Sequence, residues 1–286
     1  MVNYNGVQDT IECIDSLCKS EVDATLEIIV VDNASKDDET LIIKDKYPNT
    51  ITIKSNVNGG FSAGNNIGIK YALENGADYI MLLNNDTVIA PDMISLLLRY
   101  CENNVVTVPK MLYYSAPDII WYGGGEINRW TGNVIHLRMN ETDDVPEGNY
   151  ICTFATGCCM MFKSETLKEL GFLNESYFMY FEDVELCVRM ECKNIRINYI
   201  PDAKLWHKVG TSSGGSCSPF STYYITRNRL NCLKQYKMFF HFTAYWFSLL
   251  TRYIRMLQSK NIDVKKAFKK GIKDHFQYHD GMQSCL

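Results

Sequence analysis

None of the 11 cysteines falls in a C-x-x-C pair, and the adjacent couple Cys158–Cys159 suits neither a zinc knuckle nor an easy disulfide framework. No secretory leader is recognisable; with an odd cysteine count, this favours a reducing, cytosolic setting. Internal repeats and low-complexity linkers are missing too. The longest nearly uncharged stretch, Met238–Thr251, is too short for a membrane-spanning helix.

What is there is a chain of 286 residues with an ordinary globular apolar content, enough for one large domain plus an appendage or for two small domains. The net charge of −4 hides an asymmetry. Residues 1–226 hold 17 Lys/Arg against 30 Asp/Glu, whereas residues 227–286 hold 12 against 3. A basic tail suits a nucleic-acid arm or a membrane-surface patch. The aromatic residues of Phe239–Leu250 form one apolar block and do not interleave with the charges, which argues for the membrane and against nucleic acid.

Met1-Val2-Asn3-Tyr4-Asn5-Gly6 reads as the end of a buried strand and its turn, with the upstream half missing. Apolar positions at helical spacing between Thr10 and Ser20 precede a strand-like run, Leu26–Val31. The alternation continues through a polar helix near Lys36–Lys46, a strand Ile51–Lys54, a helix Ala63–Asn75, a strand Tyr79–Leu83 and a helix from Pro91 to about Glu102. Such alternation predicts an α/β fold with a parallel, doubly wound sheet. Beyond Val105 the pattern loosens: Ile119–Leu137 predicts antiparallel strands, Ile151–Phe162 a buried strand, Glu182–Cys192 a helix, Ile195–Ile200 a strand and Ser221–Lys237 a helix.

Short polar motifs follow the apolar runs, where an open α/β sheet presents its ligand crevice. Asp32 and Asn33 could meet a base or ribose, or simply start the next helix through Asx-turn chemistry. The segment Asn56–Asn66, rich in Gly and Asn, is either an anion cradle at a helix N-terminus or a plain turn before a capped helix. In Asn84-Asn85-Asp86 the single carboxylate could hold Mg²⁺ or Mn²⁺ together with phosphates, and His207 could complete a mixed N/O site; polar strand exits and lone histidines are also common structural features. Glu182-Asp183 follows the aromatic run 177–181. A carboxylate walled by aromatics gains basicity, though acids also favour helix starts for dipole reasons alone.

In this order the motifs resemble the family-two glycosyltransferases, and most closely their rhamnosyltransferase-like branch. The matching residues are Val2–Asn5, Val31–Ser35, Asn58–Asn66, Leu83–Thr87, Ala155–Gly157, Phe181–Glu185, Trp206-His207 and Tyr223-Tyr224-x-x-Arg227-Asn228. The resemblance covers about residues 1–236 and implies a GT-A fold that transfers a sugar from a nucleotide diphosphate donor with inversion. It implies a Rossmann-like, mainly parallel sheet flanked by helices (1–110, the nucleotide-sugar half), a mixed-sheet acceptor half (111–236) and a helical tail (237–286). By resemblance, Asn3, Asn5, Asp32, Asn58, Gly60, Asn66, Asn84 and Asn85 belong to the donor side. Thr156, Gly157, Glu182, Arg227 and Asn228 belong to the acceptor or a phosphate, Asp86 and His207 to a Mn²⁺ or Mg²⁺ ion, and Asp183 is the base. Asn84 departs from the family's D-x-D pattern, leaving Asp86 as its only carboxylate.

The resulting expectation is a metal-dependent inverting glycosyltransferase of surface-polysaccharide synthesis, with rhamnose from dTDP-rhamnose as the favoured sugar. Its partners would be the nucleotide-sugar donor, a glycan or lipid-linked acceptor, and the inner face of the cell membrane through the tail. Two rivals stand beside it: the same scaffold using UDP-galactose or UDP-glucose, and a non-catalytic sugar-nucleotide-binding scaffold protein.

Overall fold

The structure is a computed structural model that describes residues 1–209 and 218–277. The Ser/Gly run expected to form a loop after His207 lies outside the described residues from Gly210 to Cys217. The first half runs β1 (Val2–Asn3), α1 (Val7–Leu17), β2 (Ile29–Asp32), α2 (Glu39–Lys46), β3 (Ile51–Lys54), α3 (Gly60–Glu74), β4 (Tyr79–Leu83), β5 (Thr87–Ile89) and α4 (Met93–Tyr100). The second runs β6 (Val105–Tyr113), β7 (Ala116–Tyr122), β8 (Gly125–Ile127), β9 (Val134–His136), β10 (Tyr150–Cys152), β11 (Cys159–Lys163), α5 (Ser164–Leu170), α6 (Glu182–Cys192) and β12 (Arg196–His207). Three helices follow: α7 (Pro219–Gln235), α8 (Phe242–Gln258) and α9 (Ile262–Gln277).

β1, β2 and β3 form a parallel sheet, as the strand–helix alternation predicts. The remaining main strands form a mixed sheet in the order β10-β12-β6-β11-β4, with β5 on β12 and β7 on β6. β4 pairs antiparallel with β11 and β12 pairs parallel with β6, which is buried along nearly its whole length. An apolar cleft of about 770 Å³, lined by Met1, Ile29, Val31, Ile69, Ile80 and Leu82 among others, lies where β1 and β2 face β4.

Two strand expectations change. The apolar stretch Ile151–Phe162 is not one strand: β10 ends at Cys152 and β11 starts at Cys159, with Thr156 and Gly157 in the irregular segment between. The strand expected to stop at Ile200 continues to His207, because a register shift between Ile200 and Lys204 absorbs Pro201 and the ladder resumes. The tail folds back as two helices on α7. Ala244, Ser248 and Arg252 form the buried face of α8, and Gly271 of α9 lets that helix approach Tyr223 and Thr226 closely.

Candidate active site

The exits of β4 and β12 and the entry to β11 lie at the same end of the mixed sheet. β5 pairs antiparallel with β12 in the register His207↔Thr87, which sets Asp86 beside His207 although they are far apart in sequence. His207 Nε2 lies 3.2 Å from Asp86 Oδ1, and both side chains are about nine-tenths buried. Asp86 Oδ1 and His207 Nδ1 nonetheless form no hydrogen bond. A buried carboxylate oxygen left in this state is costly unless something else satisfies it. Trp121 packs edge-on against the His207 ring, 4.5 Å between centroids, and fixes its plane. No third His, Cys, Asp or Glu joins the pair among the described residues. One carboxylate and one imidazole suit a divalent cation that draws its other ligands from phosphate oxygens and water, so these residues fit the expected metal.

β11 pairs with β4 in the register Cys159↔Leu83, and the Asn84 amide continues the ladder to the Cys158 carbonyl. This brings Thr156-Gly157 alongside Asn84–Asp86. The Gly157 amide donates to Asp183 Oδ2 at 3.2 Å, and the Val184 amide to Asp183 Oδ1 at 2.8 Å. A Cβ at Gly157 would stand 3.1 Å from the Phe61 ring and 3.7 Å from Asp183 Cβ, so glycine keeps the approach to the acid clear. Removal from water raises the Asp183 carboxyl to about 6 against the pull of these amides. Glu182 is buried, and its Oε2 has no partner; burial, then the charge of Asp183, pushes its carboxyl well above the usual range. Both carboxyls are thus raised by burial, and the two amide donors favour placing negative charge of the couple on Asp183.

The backbone ahead of the acids is held under strain. Tyr180 and Phe181 adopt left-handed φ values of 66° and 72°, each costing on the order of 1 kcal/mol or more for a bulky residue. Asn228, buried on α7, compensates by donating to the carbonyls of Met179 at 2.9 Å and Tyr180 at 2.7 Å. Arg227 Nε donates to Asn228 Oδ1, and its guanidinium lies over Tyr223 and Tyr224 while reaching the Ser176 carbonyl. The pair expected to grip a phosphate thus shapes the loop that presents Asp183, and the Asn228 amide group is fully engaged in doing so.

The donor-side residues divide similarly. Asn3 and Asp32 have no accessible surface: Asn3 Nδ2 donates to Asp32 Oδ1 at 2.9 Å and to Glu39 at 2.7 Å, and Ser35 satisfies Asp32 further. In this structure Asn3 and Asp32 are engaged within the protein, in a hydrogen-bond chain that continues through Thr10 to Asn85. The anion cradle at α3 is corrected. Gly59 and Gly60 amides donate to Asn33 and Asn58 side chains, the Phe61 amide donates to the Phe178 carbonyl, and no donor among these is left for a phosphate. Gly60, at φ 79°, leaves room for that carbonyl, which would lie 2.0 Å from a Cβ. Asn66 spends its amide on Leu173 and Glu175. Asn5 is exposed, and Asn84 and Asn85 are half-buried at the exit of β4.

The glycosyl transferase family 2 domain profile matches residues 1–171. The chain belongs to this family. A hexosyltransferase of low-salt glycan biosynthesis, Agl10 from Haloferax volcanii, is 29% identical over 234 residues, covering 80% of this chain and 72% of the relative. The dTDP-rhamnosyl transferase RfbF of Shigella flexneri is 26% identical, covering 73% and 71%. An N-acetylglucosaminyl-diphospho-decaprenol L-rhamnosyltransferase of Mycobacterium tuberculosis is 24% identical, covering 66% and 68%. Among solved structures, GalNAc-T7 with UDP, GalNAc and Mn²⁺ superposes with a TM-score of 0.67 at 16% identity, over 96% of this chain and 53% of that one. S. aureus TarS superposes at 0.59 and 15% identity, over 96% and 78%. The glycosyltransferase accordingly has the GT-A fold.

Sequence reasoning missed the part that several supporting residues of this glycosyltransferase play. Asn33, expected to meet a base or ribose or to start the next helix, instead bonds to the backbone of Gly59 and Gly60 at the start of α3. Thr10 and Trp121 carry no local signal; each is recruited by packing of distant segments.

Proposed function

We propose that this glycosyltransferase is a metal-dependent, inverting hexosyltransferase moving rhamnose from dTDP-rhamnose to a lipid-linked or glycan acceptor of surface-polysaccharide synthesis. The observation that carries this reading is that the Asp183 carboxylate, held by the Gly157 amide, and the Asp86–His207 pair are both placed from the same end of the mixed sheet. Asp183 takes the proton from the acceptor hydroxyl as its oxygen attacks the anomeric carbon, and the nucleoside diphosphate leaves from the opposite face. A Mn²⁺ or Mg²⁺ ion held by Asp86 and His207 would supply positive charge to the departing diphosphate. Protonated Glu182 and Gly157 keep the base's surroundings dry and open, and Phe61 walls the approach. Asn5, Asn84 and Asn85 meet the donor, Thr156 the acceptor side, and Asn3, Asp32, Asn58, Gly60 and Asn66 hold the pocket's frame. The names of the Shigella and mycobacterial relatives support rhamnose and a polyprenyl diphosphate acceptor.

The membrane contact belongs to the same proposal. Phe242, Trp246, Leu250, Tyr253 and Leu257 line the exposed side of α8, and Lys265, Lys266, Lys269, Lys270 and Lys273 follow on α9. An apolar stripe beside basic residues suits a helix lying in an anionic surface. No helix among the described residues is long and apolar enough to cross a membrane. Incubation with dTDP-rhamnose, Mn²⁺ and a polyprenyl-diphosphate-linked sugar, with the product anomer read by NMR, tests the reading. Transfer with inversion is expected. Turnover with UDP-galactose or UDP-glucose alone would move the donor assignment, and nucleotide binding without turnover of any donor would favour a scaffold protein.

A further inference from the structure

Two guanidiniums are buried between α7 and α8 without a carboxylate to balance them among the described residues. Arg229 on α7 and Arg252 on α8 keep only 7% and 6% of their surface. Arg229 Nε donates to Ser248 Oγ at 2.9 Å, and its Nη2 donates to the Thr131 carbonyl at 3.1 Å and Asn133 Oδ1 at 2.6 Å. Arg252 sits one helical turn beyond Ser248 on the same face of α8. Its Nε is shielded and has no partner, and among the described residues it forms no ion pair. Arg255, exposed three positions further on, adds a third positive charge that both buried arginines feel. Burying a cation with neutral partners or none is expensive, and burying two together is more so; an anion that enters between them removes the penalty.

Position narrows the anion. The Arg229 guanidinium lies 5.9 Å from the centre of the Phe181 ring, and Phe181 immediately precedes Glu182-Asp183. The site therefore lies behind the aromatic wall of the base. Across α8 from the buried face of Arg252, the exposed stripe of Trp246, Leu250, Tyr253 and Leu257 offers a surface for an apolar chain. We propose that Arg229 and Arg252, with Arg255 at the rim, bind the diphosphate of a lipid-linked acceptor whose hydrocarbon tail lies along α8. This rests on the acceptor class proposed above and names the residues that recognise it. Planar guanidiniums bind phosphate oxygens bidentately; Arg229 and Arg252 together balance the one ionised oxygen on each phosphate of a diphosphate diester, and Arg255 adds attraction at the rim.

The test uses the full chain with EDTA present, so that binding at Asp86 and His207 does not contribute. Inorganic pyrophosphate should raise the melting temperature of the wild type and of Arg252→Lys. Arg252→Met should melt at or above the wild type, because it removes an unbalanced buried charge, and should lose the pyrophosphate response. With a polyprenyl-diphosphate-linked sugar, Arg252→Met should raise the acceptor KM about tenfold or more, while dTDP with Mn²⁺ should stabilise it as it does the wild type. A drop in melting temperature with an unchanged pyrophosphate response would make Arg252 structural and overturn the proposal. Arg252-dependent binding to phosphatidylglycerol vesicles, unaltered by added polyprenyl diphosphate, would assign the site to a phospholipid headgroup and overturn the acceptor assignment. The pyrophosphate arm needs no turnover, so its outcome is independent of whether the rhamnosyl transfer reading holds.

Discussion

Replacing Asp183 with Asn should cost the protein its activity and make it more stable, and both effects follow from the same burial. The folded carboxyl titrates at about 6 because it is withdrawn from water, against about 3.9 in an unfolded chain, which corresponds to ~3 kcal/mol of penalty once it is ionised. Asn abolishes that penalty but offers one acceptor oxygen to the two amides of Gly157 and Val184, which returns about 1 kcal/mol. The net gain is therefore ~2 kcal/mol at pH 7.5. The sign follows from linkage: a carboxyl whose folded pKa is raised costs nothing below its unfolded pKa, and the cost grows as pH rises to the folded value and is complete above it. Urea unfolding of both proteins should give curves that nearly coincide near pH 4, separate as pH rises from about 4 to 6, and keep their full gap above that. Transfer should fall by ~10²–10⁴ in the variant, and the wild-type rate should rise through about pH 6 and then level. A variant that keeps transfer within tenfold, or that is less stable than the wild type at every pH, would refute the assignment.

Asp86→Ala and His207→Ala should each abolish Mn²⁺-dependent stabilisation by nucleotide in thermal scans and lower transfer ~100-fold or more, whereas neither should disturb binding to vesicles. Asn228→Ala frees the strained Tyr180-Phe181 turn and should lower kcat while leaving the Mn²⁺ response intact, with a stability loss of about 2–3 kcal/mol from the two unmet carbonyls in urea melts. Gly60→Ala would set a Cβ against the Phe178 carbonyl at a positive φ and should cost ~3 kcal/mol or more, measured as a lowered urea midpoint. Trp246→Glu together with Leu250→Glu should reduce sedimentation with anionic vesicles several-fold without changing donor-induced thermal shifts.

Local patterning was readable in strands Ile51–Lys54 and Tyr79–Leu83 of the first half and in helix α6 of the second, which carry period and end signals in their own residues. The segment Ile151–Phe162 misled because Phe154, Ala155 and Cys158 are buried as irregular chain, so apolarity alone could not distinguish a strand from a loop pressed into the core. Pro201 reads as a stop, yet the ladder to β6 survives it through a bulge. The motif residues of the site could be singled out from sequence, but their division of labour could not. Asp86 meets His207 through the β5–β12 register, and the Gly59 and Phe61 amides are consumed by Asn33 and the Phe178 carbonyl; none of these contacts is encoded within a window of neighbouring residues. Arg252 looked like one more basic residue of the tail until its helix face was known.

The most direct test of the account is a thermal-shift panel of dTDP-rhamnose, UDP-glucose, UDP-galactose and UDP-N-acetylglucosamine with Mn²⁺ or EDTA, run on the wild type, Asp86→Ala and Asp183→Ala. The account predicts stabilisation by dTDP-rhamnose that requires Mn²⁺, disappears in Asp86→Ala and persists in Asp183→Ala. Equal stabilisation with EDTA, or its loss in Asp183→Ala with retention in Asp86→Ala, would contradict the roles assigned to the two carboxylates.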